Sequence, residues 1–534
     1  MKTMKRTVKD FSAPSAKGLG GAARRAAMML LTTTTAWALT PKNNNHIWDA
    51  ETKTLTLNSS VNGGSSTYQD ETEIEHLVIN PGVEWLDAYS FDGCSNLQDV
   101  TYAEGVNLWM INDYAFSECT SLTTITIPAS VTSVGRNAFK DTGWYNSQAD
   151  GPLYLDKWLL GYKGDMHADY ELSIADGTKG IAAYAFYDCG TLSAVNISAS
   201  VTSIENGAFY GCSNLATVNF ADISALPTIG EGAFEETACV DESGMLYFGN
   251  IAYKYYGDAT DVTIADGTVL IYDKCFYDNE TLESVTIPAS VTTIGEEAFY
   301  YCEALESVTF ASGSKLEVIG DYAFEYCEAL TTITIPASVT TIGEEAFYYC
   351  EALESVTFEP GSKLEVISDD AFEYCEALTS ITIPASVTSI GDDAFNYCTR
   401  LQAINVEEDN ENYTSEDGVL FNKTKTTLVQ YPAGKSRAPY IVLACVTTIG
   451  YGAFDSCEKL ESVTFEPGSK LEVIGNYAFE YCEALKTITI PASVTYIGYD
   501  AFDGCSRTTD VYCYADPDEL TWESYDTLTV SKRV

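Results

Sequence analysis

Few side chains in this sequence are suited to chemistry by both type and spacing. Three histidines, His46, His76 and His167, lie scattered, and none stands in an H-E-x-x-H or comparable metal-binding frame. The run "AGKS", Ala433 to Ser436, ends like a phosphate-binding loop, but that loop needs a glycine five residues before Gly434, where Val429 stands. No G-x-S-x-G elbow for a nucleophilic serine is present. Paired carboxylates are abundant, as at Glu296-Glu297, Glu344-Glu345, Asp369-Asp370 and Asp392-Asp393, and such pairs can work as acid and base or hold calcium. These pairs return at one fixed place in a repeat and lack the glycine-bearing loop of a calcium site. A structural position is therefore expected, at the start of a short helical turn whose N-terminus favours acids. The chain is expected to be no enzyme and to hold no cofactor and no metal.

Cysteine is the other reactive type, with sixteen copies. Twelve occupy one repeat position, from Cys94 to Cys505. Stacked strands would hold neighbouring Cβ atoms about 4.8 Å apart, beyond the roughly 3.5–4.5 Å that a disulfide prefers. A ladder of buried thiols follows, since free cysteine packs as a small apolar residue. Cys239, Cys275, Cys445 and Cys513 fall outside it; Cys239 and Cys275 flank a break in the repeat and form the candidate disulfide.

The element that positions all these groups is the repeat itself. The chain of 534 residues is longer than one compact core usually allows. Fifteen phenylalanines, most followed by cysteine three residues later, mark its register from Phe91 to Phe502, mostly 23 or 25 residues apart. A period of 20–29 residues with L-x-x-I-x-I indicates a leucine-rich repeat. In "LTSITIP", Leu378, Ile381 and Ile383 point inward and Ser380 and Thr382 outward, because strand side chains alternate. "VTSIG" supplies a second short apolar segment ending at a glycine suited to a turn, and "DDAF" begins the helical turn that buries Phe395. Where "FEPGSKLEVI" replaces "IPASVTTI", two extra residues are expected to lie in one turn and leave the rest of the coil unchanged.

The expected fold is an α/β repeat solenoid of about fifteen coils, with a parallel β-sheet face, short helical turns opposite and three β-hairpin inserts. The inserts are read near 150–165, 242–258 and 417–435. The chain divides into a signal peptide at 1–38, an N-terminal β cap and first coil at 39–90, the solenoid at 91–515 and a tail at 516–534. "IWDAETKTLTL", Ile47 to Leu57, reads as strand covering the open end of the core. The leader assignment rests on seven basic residues before "AAMMLLTTTTAWA" and its A-x-A site. No later stretch is apolar enough to span a membrane.

Two surface rows are candidate ligand sites. Tyr301, Tyr326, Tyr349, Tyr374, Tyr397 and Tyr481 each precede a ladder cysteine, so stacking would align them into a stripe of the kind enriched at interfaces. Thr286, Thr309, Thr334, Thr357 and Thr382 face outward from successive strands and form a regular hydroxyl array. With 77 acidic and 29 basic residues the net charge is −48, which argues against nucleic acid and anionic membrane as partners.

"LTTITIPASVTSVGRNAFKDT", "LSAVNISASVTSIENGAFYGC" and "LTSITIPASVTSIGDDAFNYC" resemble the repeat of BspA-like leucine-rich-repeat surface proteins over residues 74 to 515. One departure is the cysteine, which precedes the strand leucine by three where the commoner leucine-rich repeat has Asn or Cys after the strand. The resemblance implies a non-enzymatic, secreted or cell-surface adhesion protein that binds host matrix proteins such as fibronectin and fibrinogen, or other cells. The alternatives are a structural or polysaccharide-binding surface protein gripping glycan through the hydroxyl and tyrosine rows, and an ice-binding array of T-x-T rows.

Overall fold

The computed structural model describes residues 43, 45–61, 68–221, 226–435, 439–505, 510–516, 519–523 and 530–532. The leader read at 1–38 lies outside them. In a central coil, Ser284–Ile287 forms a strand with Val285 and Ile287 buried, and Thr293–Ile294 forms a second, two-residue strand. Each pairs in parallel with its equivalent in the next coil, Ser284 with Ser307 through Ile287 with Phe310, and Thr293 with Val318. Repetition of this unit builds a leucine-rich-repeat β-solenoid of about 20 turns with parallel sheets and almost no helix. Turns outnumber the fifteen marked phenylalanines because coils such as those of Thr54–Leu57 and Asp510–Cys513 join the ladder without the Ala-Phe signature. The stretch read as a tail also contributes: Thr521–Trp522 pairs with Tyr496–Ile497.

The helical turns expected opposite the sheet are not helices; the α-helix among the described residues is Gly143–Ser147. From Gly295 to Cys302 the backbone alternates instead between two kinds of bond. The N–H groups of Ala298, Tyr300 and Cys302 donate three residues back, to Gly295, Glu297 and Phe299 at 3.4, 3.1 and 3.2 Å. Those of Glu297, Phe299 and Tyr301 donate across to Asp321, Ala323 and Glu325 of the next coil at 3.0, 2.8 and 3.0 Å. Glu297 and Tyr301 adopt left-handed backbone to do this, with φ of 53° and 56°, which no continuing α-helix permits. The acid pairs therefore have no helix N-terminus to serve. Asp273, Asp321 and, from the pair Asp369-Asp370, Asp369 instead accept N–H from Glu296, Glu344 and Asp392 one coil on, at 3.0, 2.9 and 2.9 Å. Gly391 is required by that approach, since a Cβ there would lie 2.2 Å from Asp369 Oδ1.

Inside, Phe276, Phe299, Phe324, Phe347, Phe372 and Phe395 stack at 4.7–5.8 Å and within 10° of parallel. The cysteine ladder lies beside them, and its thiols are donors rather than filler. Cys302, Cys327, Cys350 and Cys375 donate to the carbonyls of Phe276, Phe299, Phe324 and Phe347 in the preceding coil at 3.2–3.3 Å. Each such carbonyl with a cysteine three residues on also takes that cysteine's amide, so both its lone pairs are used.

The two extra residues of the longer coils do more than widen a turn. Where the step is 23 residues, four strand residues register, as from Thr332–Ile335 to Ser355–Phe358. Where it is 25, only Ser307 registers with Thr332, and Ser355–Phe358 joins a different sheet from Ser380–Ile383. The added turn swings the following strand partly out of the first ladder, while the second ladder runs on through Val366 and Ser389.

The inserts are hairpins, and they divide the solenoid. Gly151–Leu155 with Trp158–Lys163 and Met245–Phe248 with Ile251–Tyr255 are antiparallel pairs. The third has three strands, Tyr413–Glu416, Val419–Asn422 and Thr427–Gln430, where two were expected. The last strand of each starts a new run of the second ladder. Buried apolar side chains accordingly fall into four clusters, spanning Leu55 to Ala182, Leu159 to Phe248, Met245 to Leu420 and Val419 to Ala515. Tyr68 and Tyr431 open two of the stacks, lying on Phe91 and Phe454 at 5.7 and 5.1 Å. The N-terminal segment is itself a hairpin, Ile47–Asp49 against Thr54–Leu57.

The clamp expected between Cys239 and Cys275 is not formed, and both are free thiols. Cys275 takes the alanine position before its phenylalanine and so points into the core against the Met245 sulfur at 3.9 Å. Cys239 packs in the preceding cluster, with Thr237 Oγ1 at 2.7 Å.

Phe347→Ala should cost about 3–5 kcal/mol in chemical denaturation, since the stack cannot close over the void. Burial pushes the Cys302 thiol up to about 12. A thiol-specific reagent should therefore label exposed Cys445 first and reach the ladder only on unfolding.

Candidate binding surface

Five of the six tyrosines form one continuous stack. Ring centroids of Tyr301, Tyr326, Tyr349, Tyr374 and Tyr397 follow one another at 4.3, 5.0, 4.2 and 4.2 Å, with planes within 23°. All five are half-buried. Tyr481 stands apart, 6.1 Å from Tyr397 and tilted by 54°, because the third insert and the coil bearing Ser456 intervene. A second row went unrecognised in the sequence. Tyr300 and Tyr348 meet the stack edge-on, 4.6 Å from Tyr301 and 4.8 Å from Tyr349, and the doublets "YYC" were its only signal.

The backbone under this stack is unusual for tyrosine. Tyr301, Tyr326, Tyr349, Tyr374 and Tyr397 have φ of 53–57°. Equivalent coils place Gly93, Gly211 and Gly504 there, with φ of 68–73°. A non-glycine residue held in this region costs on the order of 1–3 kcal/mol. Other coils hold Glu118, Asp141, Asp188, Glu236, Asp278 or Ser456 there with φ of 55–59°, so the strain belongs to the fold and five successive coils place an aromatic ring on it.

Carboxylates flank the stack on both sides. Glu303, Glu328, Glu351 and Glu376 are exposed, and Glu328 is raised by partial burial and by the charges of Glu303 and Glu351. On the inner side, Glu325 and Asp455 are only 5% and 4% exposed. Burial, then neighbouring carboxylates, push both up to about 8 and Asp393 up to about 7. Glu373 and Asp370 are raised for the same reasons. Asn396 supplies the donors this row needs, giving N–H to Asp393 and, at 3.0 Å, to Asp455, while accepting from Gln430 at 3.1 Å.

The hydroxyl array is less regular than its sequence. Thr286 registers with Thr309 and Thr334 with Thr357, the latter pair sharing a hydrogen bond of 2.9 Å. Thr382 belongs to another sheet, beside Asn405. The loosened pairing after each 25-residue step breaks the row into segments.

Other sites offer less. A cleft of about 160 Å³ beside the third insert, lined by Asp392, Asp393, Gln430 and Tyr451 among others, is smaller than the roughly 300–1,000 Å³ of small-molecule sites. Among the described residues, no group of three or more His, Cys, Asp or Glu side chains is placed to hold a metal ion. No helix among them is long and apolar enough to cross a membrane.

A family model described as "BspA type Leucine rich repeat region" matches six copies, over residues 49–144, 170–244, 246–364, 317–437 and 434–523. No curated protein matches the chain. Among solved structures it is similar to the pneumococcal vaccine antigen PcpA, at 27% identity over 53% of this chain and 86% of that one, with a TM-score of 0.42. It is also similar to a leucine rich cell surface protein of Faecalibacterium prausnitzii, at 28% identity over 54% and 94%, with a TM-score of 0.38. A leucine-rich repeat protein of Eubacterium ventriosum shares 20% identity over 86% and 92%, with a TM-score of 0.28.

The inner carboxylates predict a pH dependence. Their folded-state pKa values lie above the unfolded value of about 4, so between about pH 4 and pH 8 the folded chain holds protons that the unfolded chain has lost. Stability is then fully present below that window and falls as pH rises through it. Thermal unfolding should occur at a higher temperature at pH 5 than at pH 9, and Glu325→Gln with Asp455→Asn should flatten the slope.

Proposed function

We propose, for a chain that belongs to the BspA type leucine-rich-repeat family, a non-enzymatic role in extracellular or cell-surface recognition, carried by the tyrosine-lined edge of the central coils. The observation that carries this reading is the five-residue stack itself. Tyrosine occupies a left-handed position where glycine, serine or an acidic residue stands in other coils, so the fold has no need of the ring. Stacked rings with solvent-facing edges supply rigid, amphipathic contact area at low entropic cost, as interfaces require. The partner in this reading is a macromolecule, such as a host matrix protein or the surface of another cell. Family membership supports the setting, and the secretory leader read at 1–38 is consistent with it.

The second reading is polysaccharide binding through the threonines of the sheet face. Exposed Thr309, Thr334, Thr357 and Thr382 favour it, while the broken register weakens any long regular array. Ice binding needs the same regularity and stands behind it.

The test is binding of the full chain to an immobilised panel of matrix proteins, mucin-type glycans and microbial glycans. A Tyr326→Gly, Tyr349→Gly, Tyr374→Gly variant is run in parallel. Because glycine relieves the backbone while the rings lose their stacking, the variant should keep its stability within about 1–2 kcal/mol. It should lose saturable binding to a protein ligand. Binding that survives in the variant and grows with glycan length would move the site to the sheet face.

A further inference from the structure

We propose that the solenoid is jointed at its third insert, and that loss of protons from Asp393 and Asp455 opens the joint and turns the C-terminal coils away from the central ones. Three ladders tie one coil to the next, and all three end here. On the turn side, Asp370, Phe372 and Tyr374 donate N–H to Asp392, Ala394 and Asn396 at 3.0, 2.9 and 3.1 Å. Among the described residues, the amides of Asp393, Phe395 and Tyr397 make no equivalent bond. That ladder resumes where Gly452, Phe454 and Ser456 donate to Asn476, Ala478 and Glu480. The two strand ladders stop at Ala403–Val406 and Ser389–Ile390. They start again at Tyr440–Val442 and at the insert strand Thr427–Gln430. The buried core changes at the same place, one cluster ending at Leu420 and the next beginning at Val419.

Side chains hold the turn edge closed in place of those amides. Asn396, on the central side and 1% exposed, gives N–H to Asp393 beside it and, at 3.0 Å, to Asp455 across the joint. It accepts N–H from Gln430 of the insert at 3.1 Å. Asp393 also abuts the C-terminal coils directly, since a Cβ on Gly452 would lie 2.4 Å from its Oδ1. Two carboxylates from opposite sides of the joint therefore converge on one buried nitrogen. Facing them are Asp370, Glu373, Asp392 and Tyr397 from the central coils. Tyr451, Tyr477, Glu480 and Tyr481 face them from the C-terminal ones. None of the ion pairs among the described residues involves either acid. Lys459 crosses the joint, but its ammonium bonds the Thr399 carbonyl at 2.9 Å.

Neutral, the two acids lie against the amide at little cost. Ionised, they place two like charges around one nitrogen that water does not screen. Burial, then neighbouring carboxylates, hold Asp393 up to about 7 and Asp455 up to about 8. The closed joint thus keeps protons that both acids give up when opened to water, where their pKa is about 4. Closure is fully present below that range and is lost as pH rises through 7 to 8. The first insert makes the contrast, because cations cross it. Arg136 lies 4.9 and 4.8 Å from the ring centres of Tyr184 and Tyr187, and Lys179 donates to the Val131 carbonyl at 2.5 Å. Both cations keep their charge throughout the same range. Opening of the third joint would also widen the gap, now 6.1 Å, between Tyr397 and Tyr481, and so divide the tyrosine row.

The experiment is a pulsed electron-spin distance measurement in the full chain, between labels on exposed Cys445, beyond the joint, and on Thr334→Cys of the exposed sheet face. From pH 6 to pH 9 the distance should lengthen by about 4.8 Å or more, one coil spacing. A pair confined to the central coils, Thr309→Cys with Thr382→Cys in Cys445→Ser, should not move. Asp393→Asn with Asp455→Asn should abolish the shift. Asn396→Asp, which adds a third acid, should bring the shift on at lower pH. A constant distance across the joint, a shift kept in the double Asn variant, or an unmoved transition in Asn396→Asp overturns the proposal. Equal lengthening in both label pairs also overturns it, because the whole fold would then be coming apart rather than the joint.

Discussion

Alternate N–H groups between the glycine and the cysteine of each coil donate to the following coil, and this constraint shapes everything else in the structure. A buried amide without an acceptor carries a penalty comparable to a lost hydrogen bond, so Glu297, Phe299 and Tyr301 can be ordered only when Asp321, Ala323 and Glu325 stand beside them. The left-handed residues, the stacked phenylalanines and the thiol-to-carbonyl bonds all follow from holding successive coils at that spacing. Cysteine suits its position because it is small enough for the core and still brings one donor to a carbonyl with a lone pair to spare. No coil is complete alone, so each stack must begin on something. Tyr68 and Tyr431 provide aromatic starting platforms, and each hairpin insert restarts the short-strand ladder.

A stack of near-identical coils aligns like with like, for better and worse. Apolar residues aligned in this way give a continuous core. Carboxylates aligned in this way repel one another, and those turned inward lose water as well, which is why Glu325 and Asp455 hold protons well above the usual carboxylate range. Asn396 interrupts the row where crowding is greatest and gives its two acidic neighbours a donor. The tyrosines gain from alignment through ring stacking, yet occupy a backbone conformation suited to glycine. Like charge is therefore concentrated on the edge of the central coils that carries the tyrosine stack.

The repeat, its parallel strands, the inward and outward faces and the tyrosine stack were legible in the sequence because each depends on periodicity alone. Phe299 and Phe324 are twenty-five residues apart, and any structure that superposes them also superposes Tyr301 on Tyr326. Three hairpin positions could be read because they interrupt that period. The helical turn could not be refused from sequence, since "GEEAF" satisfies helix propensity locally. The competing bonds that defeat the helix come from a coil more than twenty residues away.

What the sequence determined by itself was therefore everything set by repetition: the period, the burial alternation and the alignment of equivalent side chains. Only the tertiary structure decided whatever depends on the exact approach of one coil to the next. It turned a helical turn into a ladder of left-handed residues and gave the thiols carbonyl partners. It kept Cys239 and Cys275 apart in different cores, and it let two added residues loosen one sheet while leaving the other intact. The physical reason is that an inter-coil hydrogen bond is made between residues remote in the chain, and its geometry is fixed by packing that no local pattern encodes.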